Sequence, residues 1–321
     1  MKSKNMGKSL LKLASKQKAF IAVAAMFILM IFSKTEFYST YNLLEILNSA
    51  SLYLIIAAGT TLVIICAGCD LSVGGMLGLS GIVAIQLMNS MPMISAILIA
   101  LVLGAVVGFV NGFLVVHQKT EPFVITLGVG MVLRGISLQL TDAKPIQCTN
   151  PDFVLLGTEK VFGTITYLAI LTIIVLVIVY LVLRYTQFGR NIYAVGGDYE
   201  VAVYAGINAR RTKWIAFVIS GFTAALAGIM QSSRLNAGSA IYGDVYPLII
   251  HCGAVIGGTS LTGGKGGIPQ TFLGILALTM LFNVMTMLQI SGYIQSLIQG
   301  IVIALILWLD NFEVRRVREA V

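Results

Sequence analysis

The sequence predicts an all-α, polytopic membrane protein with about ten transmembrane helices and both termini in the cytoplasm. Three observations carry that prediction. Hydrophobic residues make up 58% of the 321 and charged residues only 11%, and the mean hydropathy is +0.93. A soluble fold cannot hide that much apolar surface. The apolar runs are long and continuous rather than alternating, which suits helices and not a β-barrel. The basic residues, finally, sort by loop.

The elements follow in order. Residues 1–18 hold Lys2, Lys4, Lys8, Lys12, Lys16 and Lys18 with no acid, beside Leu10, Leu11 and Leu13. This is a basic cytoplasmic segment suited to an anionic leaflet. Ala19–Phe32 resembles a signal-peptide core, but no small-x-small cleavage site follows, so it is expected as an uncleaved first span. Further spans are expected at Ala50–Gly68, Val73–Met88, Met93–Val116, Phe123–Leu140 and Val161–Leu183. The last four are Trp214–Met230, Tyr246–Thr262, Pro269–Leu288 and Ile294–Leu309. Together they make one membrane domain over 19–310, and 311–321 is a cytoplasmic tail.

The charges test that layout. With the N-terminus inside, sixteen of the 21 basic residues fall on inner segments. Lys34, Lys144, Lys160 and Arg234 fall outside, and Arg134 lies within a span. This is the positive-inside pattern, and it accounts for the net charge of +8 without nucleic acid.

Two joints between spans are rich in glycine. One is Ala67–Gly75, holding Asp70 and Ser72; the other is Gly257–Gly267. Each reads either as a tight cytoplasmic hairpin or as a turn folded back into the membrane. Freed backbone groups at such a turn require protein or a wet cavity beside them.

Polar residues inside spans are few: Asn111, Arg134, Ser220, His251 and Asn283. Charge in hydrocarbon is costly, so Arg134 is expected to face protein or water, or to snorkel to the outer interface. His251 reads either as a hydrogen-bonded core histidine or as a proton relay. Asp70, Ser72, Asn111, Arg134, His251 and Asn283 are the candidate lining of a solute pathway. Small residues at Gly104/Gly108/Gly112 and Ser220/Ala224/Gly228 have the spacing of close helix packing. Cys66, Cys69, Cys148 and Cys252 sit at no metal-binding spacing. No nucleotide loop is complete: a GxxxxGK[ST] ending at Lys265 would need Gly at 259 and Ser or Thr at 266, where Thr259 and Gly266 stand. No HExxH or GxSxG occurs either. The chain is therefore expected to be no enzyme and to bind no cofactor or metal itself. Any energy source must come from a partner or an ion gradient.

The segment 184–213 is too long and too polar to be a simple connection. It carries Arg184, Arg190, Arg210, Arg211 and Lys213. Gly196 and Gly197 are expected to form a turn, with Asp198 as N-cap of a short helix, Glu200 in its first turn and Gly206 as its stop. Such a helix would lie on the cytoplasmic face and display Tyr199, Val203 and Tyr204. It reads as a solvated basic loop or as a docking element for a soluble partner.

Several stretches carry a family resemblance: Cys69–Gly74, Asn111–Leu114, Pro122–Gly128 with Arg134-Gly135, Gly189–Gly197, Ala205–Ile207 and Val255–Gly264. In this order they resemble the membrane permease subunit of bacterial ABC sugar importers of the ribose/galactose type. The resemblance implies a second permease copy, a cytoplasmic ABC ATPase pair that uses ATP and Mg, and an external sugar-binding protein. It also implies an inner-membrane location and alternating access of a shared cavity. The long loop becomes the ATPase-coupling element, carried by Gly189, Arg190, Gly196, Gly197, Asp198, Tyr199, Glu200, Tyr204, Ala205 and Gly206. Two departures stand out. Asp198-Tyr-Glu-Val-Ala202 replaces the family's usual Asn-Pro/Glu-Ala-Ala, and Pro247–Gly253 places His251 and Cys252 where Glu-Leu-x-x-Ile-Ala-Ala is usual. The first bears on pairing with the ATPase; the second leaves the exact sugar open, with a non-sugar cargo such as a polyol or a signalling furanosyl compound as the alternative. An ion-coupled secondary transporter is the alternative from another class, with Asp70 and His251 as its only candidate relay.

Overall fold

A computed structural model describes residues 35–118, 120–161 and 163–318. The basic N-terminal segment and the first expected span lie outside the described residues. After a 3-10 turn at Thr35–Tyr38 the chain is helical almost throughout. In order come α1 (Thr40–Ile65), α2 (Val73–Met88), α3 (Met93–His117), α4 (Pro122–Thr141), α5 (Pro151–Thr158) and α6 (Tyr167–Tyr185). They continue with α7 (Gln187–Gly197), α8 (Tyr199–Tyr204), α9 (Ala209–Leu235), α10 (Tyr246–Gly257), α11 (Ile268–Met287) and α12 (Gly292–Arg318). Two-residue strands pair antiparallel, β1 (Ile146–Gln147) with β4 (Ala237–Gly238) and β2 (Lys160–Val161) with β3 (Ile165–Thr166). Six helices (α1, α3, α4, α6, α9 and α11) are long and apolar enough to cross a bilayer; α2, α10 and Gly292–Leu305 are shorter apolar helices. The all-α polytopic class is what the apolar runs required.

The central helix is α9, packed against α1, α2 and α3. Small residues let it touch them backbone to backbone. A Cβ on Gly104 would strike the Gly221 carbonyl, one on Gly108 the Phe217 carbonyl, and one on Gly112 the Trp214 ring. The two small-residue series both pack closely, but on different partners: Gly104, Gly108 and Gly112 meet Gly221, Phe217 and Trp214 of an antiparallel α9, whereas Ser220 lies against Gly59 of α1 and Gly228 against Leu77 and Ser80 of α2. Trp214 fixes the register by donating its indole N–H to the Phe109 carbonyl at 2.8 Å.

The first glycine-rich joint departs from a plain hairpin. After Ile65 the chain turns, with Ala67 in the left-handed region at φ 53, and climbs back along α1. Thr60 and Asp70 consequently both reach Ser220 on α9. Past the far end of α9, residues 236–245 fold back without helix along α2. Gly238 lies against Ile82, Ala240 against Gly78 and Gly243 against Gly74. A Cβ at Gly74 would meet the Gly243 carbonyl at 2.5 Å, so this approach requires glycine. Helix α10 then starts part-way along the bundle and has only 12 residues, ending where Gly258 takes φ +99.

Three expected boundaries move for identifiable reasons. The span expected from Val161 begins at Tyr167, because β2 and β3 form a hairpin first and Thr166 caps the helix by accepting the Ala169 N–H at 3.2 Å. The span expected at Trp214–Met230 extends over Ala209–Leu235, because Asn208 caps it through the Arg211 N–H at 3.0 Å and draws polar residues into the helix. Gly196 and Gly197 do not form a turn: they are the last residues of α7, whose start is capped by Thr186.

Candidate transport and coupling sites

Four of the chosen pathway residues meet at the first joint. Asp70 is fully buried. One of its carboxylate oxygens accepts the Ser72 N–H at 3.1 Å and the Ser72 hydroxyl at 2.6 Å; the other accepts the Ser220 hydroxyl at 2.7 Å. The Asn111 amide donates to Ser72 Oγ at 2.7 Å. Every donor in this chain of bonds leads toward Asp70, the arrangement that stabilises a buried carboxylate where no cation pairs with it. Asn111 is also fully buried, and among the described residues its Oδ1 has no hydrogen-bond partner.

His251 approaches from α10. Its Nδ1 bonds the Pro247 carbonyl at 2.7 Å and its Nε2 lies 3.4 Å from Cys69 Sγ. It is tied to the joint through Cys69, with no direct hydrogen bond to Asp70 among the described residues. The Thr126 hydroxyl completes the knot, accepting the Leu71 N–H at 3.0 Å and donating toward the Cys69 carbonyl at 3.2 Å. So α1, α3, α4, α9 and α10 all converge on residues 69–72.

Arg134 and Asn283 lie elsewhere. Arg134 pairs with Asp244 at 3.1 Å, each side chain nearly half exposed. That pair stands at the rim of a cavity of about 280 Å3 lined by Gly74, Gly75, Phe123, Met131 and Pro247. The cavity faces the starts of both shortened helices, α2 and α10. Asn283 exchanges hydrogen bonds with Asn42, at 3.1 and 2.9 Å, across the far side of the bundle. That reciprocal amide pair clamps α11 to α1 and satisfies both side chains.

At the other candidate site α8 projects from the bundle. Asp198 caps it by accepting the Val201 N–H at 2.9 Å, and Gly206 ends it at φ +81. Ala202 faces inward onto Val195 and Ala209. Tyr199, Val201, Val203 and Tyr204 face outward, Tyr204 at 87% exposure. Lys213 sits 5.4 Å from the Tyr199 ring centroid. An exposed row of large apolar side chains on a capped turn is a surface made to be covered.

Helix α7 ties this surface to both joints. A Cβ on Gly196 would strike the Ile65 carbonyl and the Gly264 nitrogen. The Tyr193 hydroxyl donates to the Gly266 carbonyl at 2.8 Å. Burial pushes the Tyr193 phenol up from its ordinary pKa, against the opposing pull of Arg184, so the hydroxyl keeps its proton and its role as donor. The joints also bond each other, Gly264 N–H to the Ile65 carbonyl at 2.9 Å.

Sequence reasoning passed over several of these residues. Ser220 stood among the intramembrane polar residues, and Tyr193 and Thr126 lie within the family-like stretches. Asp244 had a signal in its place, an acid beside Gly243 just before an apolar run. Val201 had none, because a valine in a short amphipathic turn looks like core.

Helices long and apolar enough to cross a bilayer, a polar knot at a folded-back joint and a protruding apolar turn make up a multi-pass membrane protein. The chain belongs to the family described as branched-chain amino acid transport system / permease component, matched over residues 42–307. It is 36% identical to the ribose import permease protein of Haemophilus influenzae, covering 92% of this chain and 93% of that one. The D-allose transport system permease protein of Escherichia coli is 35% identical over 87% and 86% of the two chains. The xylose transport system permease protein of the same organism is 30% identical over 93% of each. No solved structure matches the chain.

Proposed function

We propose that this chain is the transmembrane permease subunit of an ABC importer for a monosaccharide or similar small polar solute. The observation that carries this reading is end-to-end similarity to permeases for three different sugars. In this reading ten spans place both termini and the 184–213 segment in the cytoplasm. An external binding protein delivers the solute to a cavity shared by two permease copies. A cytoplasmic ATPase, using ATP and Mg, seats α8 in a cleft.

The geometry suits that division of labour. Movement of α8 would pass through α7 to the joints at 65–67 and 263–267, because Gly196 contacts both and Tyr193 bonds the second. Those joints carry the Asp70 knot and the end of α10, and α2 and α10 begin at the cavity beside Arg134 and Asp244. The solute side needs few polar groups when selectivity lies in the delivering protein.

The test is reconstitution of the chain with its ATPase and binding protein in proteoliposomes, with uptake of labelled ribose, allose and xylose measured. ATP-dependent uptake of at least one is expected. Uptake driven by an ion gradient without the ATPase would establish a secondary transporter instead.

A further inference from the structure

A second cavity, of about 460 Å3, opens where α6 ends. It is lined by Tyr180 and Arg184 on α6, Arg190 and Tyr193 on α7, and residues 266–270 leading into α11. Among the described residues the two arginines are its only charged lining, and both are exposed. Among the described residues neither has a carboxylate at ion-pair distance. Helix α11 begins at the cavity with no side-chain cap, which adds to the positive field of the two guanidiniums. Paired guanidiniums with no acid opposite them match a phosphate group in charge and in fork geometry.

A second feature shows what the phosphate would be attached to. Ile173, Ile174, Val177, Ile178, Leu181 and Tyr185 are all exposed. Their spacing makes a continuous apolar stripe along α6, which ends at the arginines. A free anion has no use for that stripe, whereas an acyl chain does.

We propose that this cavity holds the phosphate headgroup of an anionic phospholipid, with its acyl chains along the exposed stripe of α6. Basic pockets between membrane helices bind such headgroups. The lipid would brace α7 against the loop at Gly266 and Gly267, next to the coupling surface. The proposal depends on the chain lying in a bilayer and not on the identity of its cargo.

The experiment uses the full-length chain purified in mild detergent, with retained lipid read by native mass spectrometry and the melting temperature followed in parallel. The probes are phosphatidylglycerol, phosphatidylcholine and inorganic phosphate. Phosphatidylglycerol is expected to be retained and to raise the melting temperature; the other two are not. R184Q and R190Q should each weaken its binding about fivefold, and the double variant about thirtyfold. R210Q/R211Q, which removes two charges from the same segment, should keep it. The proposal is overturned if inorganic phosphate alone gives the same rise, or if phosphatidylcholine binds as well. It is overturned too if R210Q/R211Q loses as much, or if neither single variant loses any, an outcome readable even where the double variant does not fold.

Discussion

The Gly264 N–H donates to the Ile65 carbonyl at 2.9 Å, joining two glycine-rich turns that lie far apart in the chain. Gly196 packs onto the same two groups. One small contact therefore brings together the end of α1, the loop before α11 and α7, the helix just before the one that carries the exposed tyrosines.

Gly196→Ala should break that contact, since its methyl would meet backbone and not a side chain that could swing away. Overpacking of this kind typically costs about 1–3 kcal/mol. Gly197→Ala is the control, because nothing lies within 4 Å of its Cβ. The expected result is a lower melting temperature and lost coupling for the first and parent-like behaviour for the second. Equal melting temperatures would show that the contact is not tight.

At Asp70 the acceptor is what matters. Asp70→Ala strands the Ser72 and Ser220 donors in a dry site, a loss on the order of 3 kcal/mol. Asp70→Asn keeps one acceptor oxygen, and the hydroxyls can rotate to meet the new amide. Folded yield by fluorescence-detected gel filtration should rank parent, then Asn, then Ala. Parent-like yield and transport from both variants would reduce Asp70 to a dispensable group.

Coupling should depend on the apolar turn and not on its flanking charges. Tyr204→Ala removes a side chain that is 87% exposed, so the free chain should fold unchanged. At a covered interface the same change costs on the order of 2 kcal/mol of binding. Gly206→Val has open space around it, but φ +81 is strained for valine by about 1–2 kcal/mol. Both should abolish stimulation of ATP hydrolysis by loaded binding protein, while Arg210→Ala and Arg211→Ala leave it intact. Normal stimulation in the tyrosine and glycine variants would make the segment a plain basic connection.

The orientation can be read with single cysteines in a background lacking the native four. Cys148 itself is only 8% exposed and would report poorly. Lys144→Cys should react with an impermeant thiol reagent in sealed cells, and Tyr204→Cys only after lysis. Reaction of the second from outside would invert the topology.

The bilayer solvent made the class legible, because long apolar runs leave few alternatives to helices. Small-residue spacing likewise announced close helix packing, though not which helices meet. The return of residues 236–245 along α2 was not legible, since it depends on Gly243 meeting Gly74, a pairing no local pattern encodes. For the same reason Arg134 gave no hint of Asp244. Asn283 looked like pathway lining because a polar residue in a span is conspicuous, yet its chemistry is spent on Asn42. At Gly196 and Gly197 the local rule for paired glycines suggested a turn; both end a helix instead, and at Gly196 the approach of the Ile65 carbonyl and the Gly264 N–H requires bare backbone.

Where Gly104 and Gly108 meet Gly221 and Phe217, the backbones of α3 and α9 touch with little side chain between them to compress or repack. Two helices joined in this way act as a single beam, and α9, at 27 residues, is about 40 Å long. One end of the beam leaves α8 through Asn208, and its middle holds Ser220 against Asp70. The buried carboxylate and the turn that carries the exposed tyrosines are therefore attached to one stiff element.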